Sequence, residues 1–322
     1  QPEEVEDDSD HFSNLAGMLL DSELASIAQR VADGYTADEE SRQAWLDIVK
    51  RGYQSLGLAE STEKPAFARA SMVVDPVTLE AVLQGQARAI AEIAPPQGVC
   101  KTVVLGQSTP DIERQAERVR SYFNFYTTEE SPEWRSEKDK MLFSLYVAGS
   151  AFQKVYYDEE LERPTVPFVS ADDFVVPYNC SSLRDAWRYT HRTWIDPQTL
   201  QHMQRQGIYI SDEDKEGSHE GGDVEPGVLR EVVEDIEGRS PASTDHDSAV
   251  ELLEQAVYLD LGDDMDGRPL PYLVTVERKT NKVLAIRRDW EEEDAKRRRI
   301  ERWVHYKLIP GLGFYGYGFA HL

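Results

Sequence analysis

Gly149-Ser150-Ala151-Phe152-Gln153-Lys154-Val155-Tyr156-Tyr157 marks the point at which the hydrophobic period of the chain changes. Before it, apolar residues recur every three or four positions, the spacing of a helix face. After it they fall into short β-branched and aromatic runs bounded by Pro164, Pro167 and Pro177. The change predicts an α+β fold, with a helical N-terminal half followed by short antiparallel strands and hairpins.

Upstream of Gly149, Ser131-Pro132 opens a helix carrying Trp134, Lys138, Met141, Leu142, Leu145 and Tyr146 on one stripe. Pro110 opens another, with Ile112, Ala116, Val119, Phe123 and Tyr126 in register. Asp75-Pro76 opens a third, with Leu79, Val82, Leu83, Ile90 and Ile93, stopped by Pro95-Pro96. Thr36, with Glu39 three residues on, resembles a capping box that starts the run Trp45, Ile48, Val49, Gly52 and Leu56, which ends at Gly57. Residues 1–10 hold six acids and one aliphatic residue, too little apolar surface to offset ordering, and read as a flexible arm.

Downstream, strands are expected at 151–157, 165–169, 174–176 and 187–194. Asp196-Pro197 then caps a helix that Gly207 ends. Strands resume at 254–261, 272–278, 282–288 and 303–309, with Asp266-Gly267 and Thr280-Asn281 at hairpin connections. The segments are therefore 1–34, an acidic arm and first helix; 35–150, helical; 151–211, β-rich with one helix; 212–247, a mobile acidic loop with a helical turn or two near 228–236; and 248–322, hairpins.

The 322 residues carry 35 Lys and Arg against 60 Asp and Glu, a formal charge of −25, with 40% hydrophobic residues. Such a body folds, and its surface lacks the clustered cations that grip DNA phosphates. No apolar window reaches the roughly 18–20 residues of a membrane span, and the acidic N-terminus is unlike a signal peptide. Cys100 and Cys180, 80 positions apart without CxxC or a Cys/His cluster, read as two structural thiols in a reducing compartment and encode no zinc site. Gln1-Pro2 at one end and Ala320-His321-Leu322 at the other, directly after a Gly- and aromatic-rich run, suggest a piece of a longer polypeptide.

Several motifs have bland readings that outweigh the chemical ones. Gly311, Gly313 and Gly316 satisfy GxGxxG, but Pro310 precedes them and Phe314, Tyr315, Tyr317 and Phe319 interleave them, which favours a packing turn over a dinucleotide site. Asp260, Asp263, Asp264 and Asp266 before Gly267 hint at a calcium loop, but Leu273 stands where the bidentate Glu belongs. Lys296-Arg297-Arg298-Arg299 follows Glu291-Glu292-Glu293-Asp294. On a helix, Glu292 with Lys296, Glu293 with Arg297 and Asp294 with Arg298 would neutralise one another, each pair contributing about 0.2–0.5 kcal/mol. The seven histidines form neither HExxH nor any pair at i, i+4, and Asp172-Asp173 looks like a turn.

Three blocks carry a resemblance. Pro271-Tyr272-Leu273-Val274-Thr275-Val276, Thr280 through the hairpin to Asp289-Trp290, and His305-Tyr306-Lys307-Leu308-Ile309-Pro310-Gly311-Leu312-Gly313-Phe314-Tyr315-Gly316-Tyr317-Gly318-Phe319 are similar, in that order, to the portal protein of short-tailed (podovirus-type) tailed bacteriophages. Upstream, Ala37-Asp38-Glu39-Glu40-Ser41-Arg42, Phe125-Tyr126, Gly149-Ser150-Ala151-Phe152 and Asp172-Asp173-Phe174-Val175-Val176-Pro177 fit the family's N-terminal half. The resemblance implies the wing of a subunit in a ring, usually of twelve copies, at one capsid vertex. It implies no cofactor, metal or catalytic residue. Its partners would be other copies of itself, major capsid and scaffolding proteins, terminase, tail and adaptor proteins, and double-stranded DNA passing through without sequence-specific binding.

On that pattern Pro310, Gly311, Gly313, Phe314, Tyr315, Gly316 and Gly318 form the wing-to-stem junction. Lys296, Arg297, Arg298 and Arg299 are candidates for contact with DNA or a neighbouring subunit, and the outer sides of helices 79–93 and 134–146 for the subunit interface. The stem, clip and crown would lie beyond residue 322. Two alternatives from other classes are an acidic scaffold or adaptor without a channel, and a metal-dependent hydrolase using Asp172, Asp173, Asp260 or Asp264.

Overall fold

A computed structural model describes residues 11–58, 76–158, 161–211, 229, 232, 233, 236, 249–262, 267–311 and 313–322. It is α+β: four α-helices precede Gly149 and antiparallel strands dominate after it. The helices are α1 (Asp21–Gln54), α2 (Val77–Ile93), α3 (Pro110–Phe125), α4 (Glu133–Ala148) and α5 (Pro197–Arg205). Caps account for several of these boundaries. Thr109 Oγ1 accepts from the Ile112 N–H, Asp196 Oδ2 accepts from the N–H groups of Gln198 and Thr199, and Gly149 ends α4 in the left-handed region. After α3, Tyr126–Glu130 continues as one π-helical turn.

The start at Thr36 is corrected. α1 runs unbroken from Asp21, and the Thr36 hydroxyl donates to the Ala32 carbonyl within the helix, so it caps nothing. Upstream, Ile27, Ala28, Val31 and Tyr35 are buried, so tertiary packing carries the helix through the supposed cap. The expected helix of residues 35–57 is thus the second part of a longer one, ending at Gln54.

The chain forms two compact units, each drawn from three stretches of sequence. The first comprises Gln1–Trp45, Asp172–Glu231 and Arg239–Glu301. Its sheet is an antiparallel meander of β5 (Phe174–Val175), β6 (Arg188–Ile195), β7 (Val250–Leu259), β8 (Leu270–Glu277) and β9 (Lys282–Arg288) in that order. Alternation assigns the two faces. Leu253, Val257, Tyr272, Val274 and Val276 join Val31 and Tyr35 in one core, while Val250, Leu252 and Leu284 pack with Leu200 of α5 in another. A β-bulge shifts the β8–β9 register between Thr275 and Val276, so Val283 and Ile286, three positions apart, reach the same core.

The second unit comprises Leu46–Ala171, Val232–Gly238 and Arg302–Leu322. The run expected at 151–157 divides into β1 (Ser150–Lys154) and β2 (Tyr156–Asp158). The run at 165–169 divides into β3 (Arg163–Thr165) and β4 (Phe168–Val169) around Pro167, which has no N–H to donate. The three-stranded sheet is ordered β10 (Trp303–Lys307), β1, β4, and β2 pairs with β3 alone. Met141, Leu142 and Leu145 of α4 pack with Ala89, Ile90 and Ile93 of α2 and with Ala151, Phe168 and Tyr306 of the sheet. The apolar stripes of helices 79–93 and 134–146 therefore face one another within this unit, and their outer sides remain on its surface. Lys138 on that stripe is partly buried, and its ammonium donates to Gln153 Oε1 and to the Tyr306 hydroxyl. Burial pushes this amine below the usual lysine range.

No helix among the described residues is long and apolar enough to cross a membrane. Cys100 and Cys180 are both free thiols. The acidic loop at 212–247 lies outside the described residues except for Leu229, Val232, Val233 and Ile236, which are helical, with Leu229 and Val232 buried.

Candidate functional site

The Gly- and aromatic-rich turn packs closely against β1, β10 and α4. Ile309 and Tyr317 bridge each other through both backbone hydrogen bonds, which closes residues 309–317 into a loop. Phe314 is fully buried, stacked on His305 with ring centroids 4.5 Å apart, and His305 stacks in turn on Phe152 at 4.5 Å. The Gly316 N–H donates to Ser150 Oγ at 2.7 Å, and Ser150 Oγ lies 3.1 Å from His305 Nε2. Gly318 lies against the end of α4, where an added Cβ would overlap Gly149 N and the Val147 carbonyl oxygen. Ala320 fills the space left by Gly52, a position the sequence places on the helical stripe of residues 45–56.

Of the junction residues, Phe314, Tyr315, Gly316 and Gly318 are thus brought together as a buried plug on β1, β10 and α4. Gly311 approaches the Tyr315 carbonyl, and Pro310 and Gly313 lie on the loop's outer course. The three glycines of GxGxxG open no α-helix, and the only helical residues after Gly316 are the single 3-10 turn Phe319–His321. A pyrophosphate has no helix N-terminus to meet here.

Ser150 and His305 resemble a nucleophile and base by distance, but Ser150 is fully buried and its hydroxyl already accepts the Gly316 N–H. The pair locks the turn. Burial, aided by the Lys307 ammonium, lowers the His305 imidazole from 6.5 to about 3. An unfolded imidazole titrates near 6.5, so the folded state keeps its full advantage above that pH and loses it as pH falls from 6.5 toward 3. Each pH unit in that window costs about 1.4 kcal/mol. Thermal unfolding from pH 7 to 4.5 is therefore expected to show a steeper loss for the wild type than for His305→Phe. Parallel curves would refute the assignment.

The first unit holds a second cluster, of buried charge. On α1, Tyr35, Asp38, Arg42 and Trp45 follow one stripe, and all four are buried. Asp38 takes a bidentate ion pair from Arg188, with both bonds 2.7 Å. Burial pushes the Asp38 carboxyl up and Arg188 opposes it. Arg42 donates to the Asp172 carbonyl at 2.7 Å and the Phe174 carbonyl at 3.3 Å. Arg192 lies 3.3 Å from Asp172, 3.2 Å from Asp173 and 4.0 Å from Glu251, over the ring of Trp194, and Glu251 also takes Arg278 at 2.8 Å. Leu229 donates its N–H to Asp172 Oδ2, tying this residue to the cluster.

Asp172 and Asp173 therefore serve arginines. Asp260 accepts the Gly262 N–H in a turn, and Asp263, Asp264 and Asp266, with the calcium-loop reading, lie outside the described residues. No group of three or more metal-ligating side chains occurs among the described residues.

The basic run is not on a helix. Residues 292–293 and 295–296 form turns, and Arg297 sits at φ +49, a left-handed conformation that interrupts a helical course there. Of the expected pairs, Asp294 and Arg298 meet at 2.9 Å, and the guanidinium holds the Asp294 carboxyl down to about 2. Arg299 turns inward, donates to the Ala186 and Leu183 carbonyls and stacks over Tyr189. Lys296 and Arg298 remain exposed.

Sequence reasoning missed Arg42, Arg188, Arg192, Glu251 and Arg278. The available signal was the placement of Asp38 and Arg42 at helical spacing among apolar residues. No protein-family model matches the chain, and no curated protein sequence matches it.

Proposed function

We propose that the chain is the wing portion of a portal subunit of a short-tailed bacteriophage, a structural protein of the capsid vertex rather than an enzyme. The observation that carries the reading is the Pro310 to Gly318 turn, whose sequence resembles the family's junction and whose buried aromatic plug suits a rigid mount. In this reading copies of the chain, twelve by the family's pattern, form a ring in the host cytoplasm during assembly and then occupy one vertex of the virion. Double-stranded DNA passes through during packaging and ejection without sequence-specific binding. Capsid and scaffolding proteins, terminase and tail proteins attach to the assembled portal.

The charge suits a conduit. Twelve copies at −25 carry about −300, so a duplex beside acidic surfaces is repelled and slides. The same charge opposes assembly, and salt relieves it, since the screening length falls from about 30 Å at 0.01 M to about 8 Å at 0.15 M. Sedimentation velocity across an ionic-strength series tests this. The expected result is a 36.6 kDa monomer at low salt and a single species near 440 kDa, twelve times that mass, at high salt. Rings formed equally at every strength would refute the electrostatic account, and monomers at every strength would refute the ring.

A further inference from the structure

Residues 100–125 turn their apolar side chains outward. α3 contains no buried residue, while Val119, Tyr122, Phe123 and Phe125 are all exposed. A 16-residue helix is marginal in water unless its apolar face is packed. Residues 100–105 lie beside it without regular secondary structure, held by the Cys100 N–H on Asn124 Oδ1 at 2.9 Å and the Thr102 hydroxyl on the Ala116 carbonyl at 3.0 Å. Thr102 and Val104 are half-buried, whereas Val103 is 79% and Leu105 91% exposed. Among the described residues no strand pairs with this segment. A β-branched segment whose side chains alternate between half-buried and exposed, beside an apolar helix with no buried residue, is a docking surface.

Charge selects the occupant. Residues 100–125 carry four cations, Lys101, Arg114, Arg118 and Arg120, and three anions, a net +1, so the other 296 residues carry −26. Arg114 and Arg120 are held by Asp111 and Glu117 within the helix. A two-fold contact of this surface with itself would gain no electrostatic energy. A head-to-tail contact sets a near-neutral apolar patch against the acidic remainder of another copy, an approach that avoids setting like charge against like.

We propose that residues 100–105 and α3 together form the face on which the next copy of this chain docks, head to tail. The inference rests on the ring reading and locates its interface. Head-to-tail contacts close into a ring when the rotation between copies permits.

The test compares the full chain with Val103→Asp/Leu105→Asp and with Arg118→Glu by sedimentation velocity at high salt, with circular dichroism as the folding control. The aspartates replace side chains that are 79% and 91% exposed, so the fold is expected to persist. The expected result is a wild-type ring and a folded double variant whose half-assembly concentration rises more than about tenfold, with Arg118→Glu shifted the same way. If the aspartates unfold the chain, Arg118→Glu decides alone. Wild-type rings with unaffected variants would overturn this surface and leave the ring standing. A wild type that never assembles would overturn both.

Discussion

Gly149→Ala is expected to abolish the folded second unit, at a cost of at least about 4 kcal/mol. Gly149 ends α4 at φ +83, where a side chain costs about 1–2 kcal/mol. The larger part is overlap: a Cβ there would lie 2.2 Å from Gly318 N and from the Tyr317 carbonyl carbon. These are backbone atoms, so no rotamer change relieves the clash. The turn would have to leave β1 and expose Phe314 and Tyr315, both fully buried. Gly207→Ala is the internal control, because Gly207 has φ +74 with nothing near its Cβ position, and strain alone should cost about 1 kcal/mol. Gly149→Asn separates the two causes, since Asn tolerates the left-handed conformation but still brings a Cβ. Thermal unfolding should place Gly149→Asn with Gly149→Ala, and a mild Gly149→Asn would contradict the close-approach account.

Arg192→Met should destabilise the first unit by about 3–5 kcal/mol, the usual cost of breaking a buried ion pair from one side. Arg192 is almost fully buried among Asp172, Asp173 and Glu251, and methionine leaves those carboxylates without their shared cation. Adding Asp172→Asn to the variant should recover part of the loss. Urea denaturation of the single and double variants checks this. A double variant no more stable than the single one would show that packing over Trp194, rather than charge, dominates the site.

Local signals made much of this fold readable. Pro110 after Thr109 and Pro197 after Asp196 announce helix starts because the missing proline N–H costs nothing there and the preceding side chain caps the first turn. Thr36 and Glu39 mimicked such a start. The real one is marked by Glu23, which accepts the Leu20 N–H ahead of α1. The divisions at Val155 and Pro167 and the bulge in the β8–β9 pair depend on which strands meet, and alternation within one run does not encode that.

The two sites differ in the same way. The packing role of the glycines and aromatics from 310 to 319 was legible because those residues suit close backbone approach and little else. Arg188 and Asp38 are 150 positions apart, and neither is unusual in its own neighbourhood. The basic run misled because its charge spacing fits a helix that the left-handed Arg297 prevents.

The proposed function requires that copies of this chain close into a ring. Electron microscopy of the purified, untagged chain in negative stain at high salt addresses it most directly. The account predicts closed rings of one dominant symmetry with an open central hole wide enough for a DNA duplex. A field of monomers, or of filaments and irregular clusters without a central hole, would contradict it.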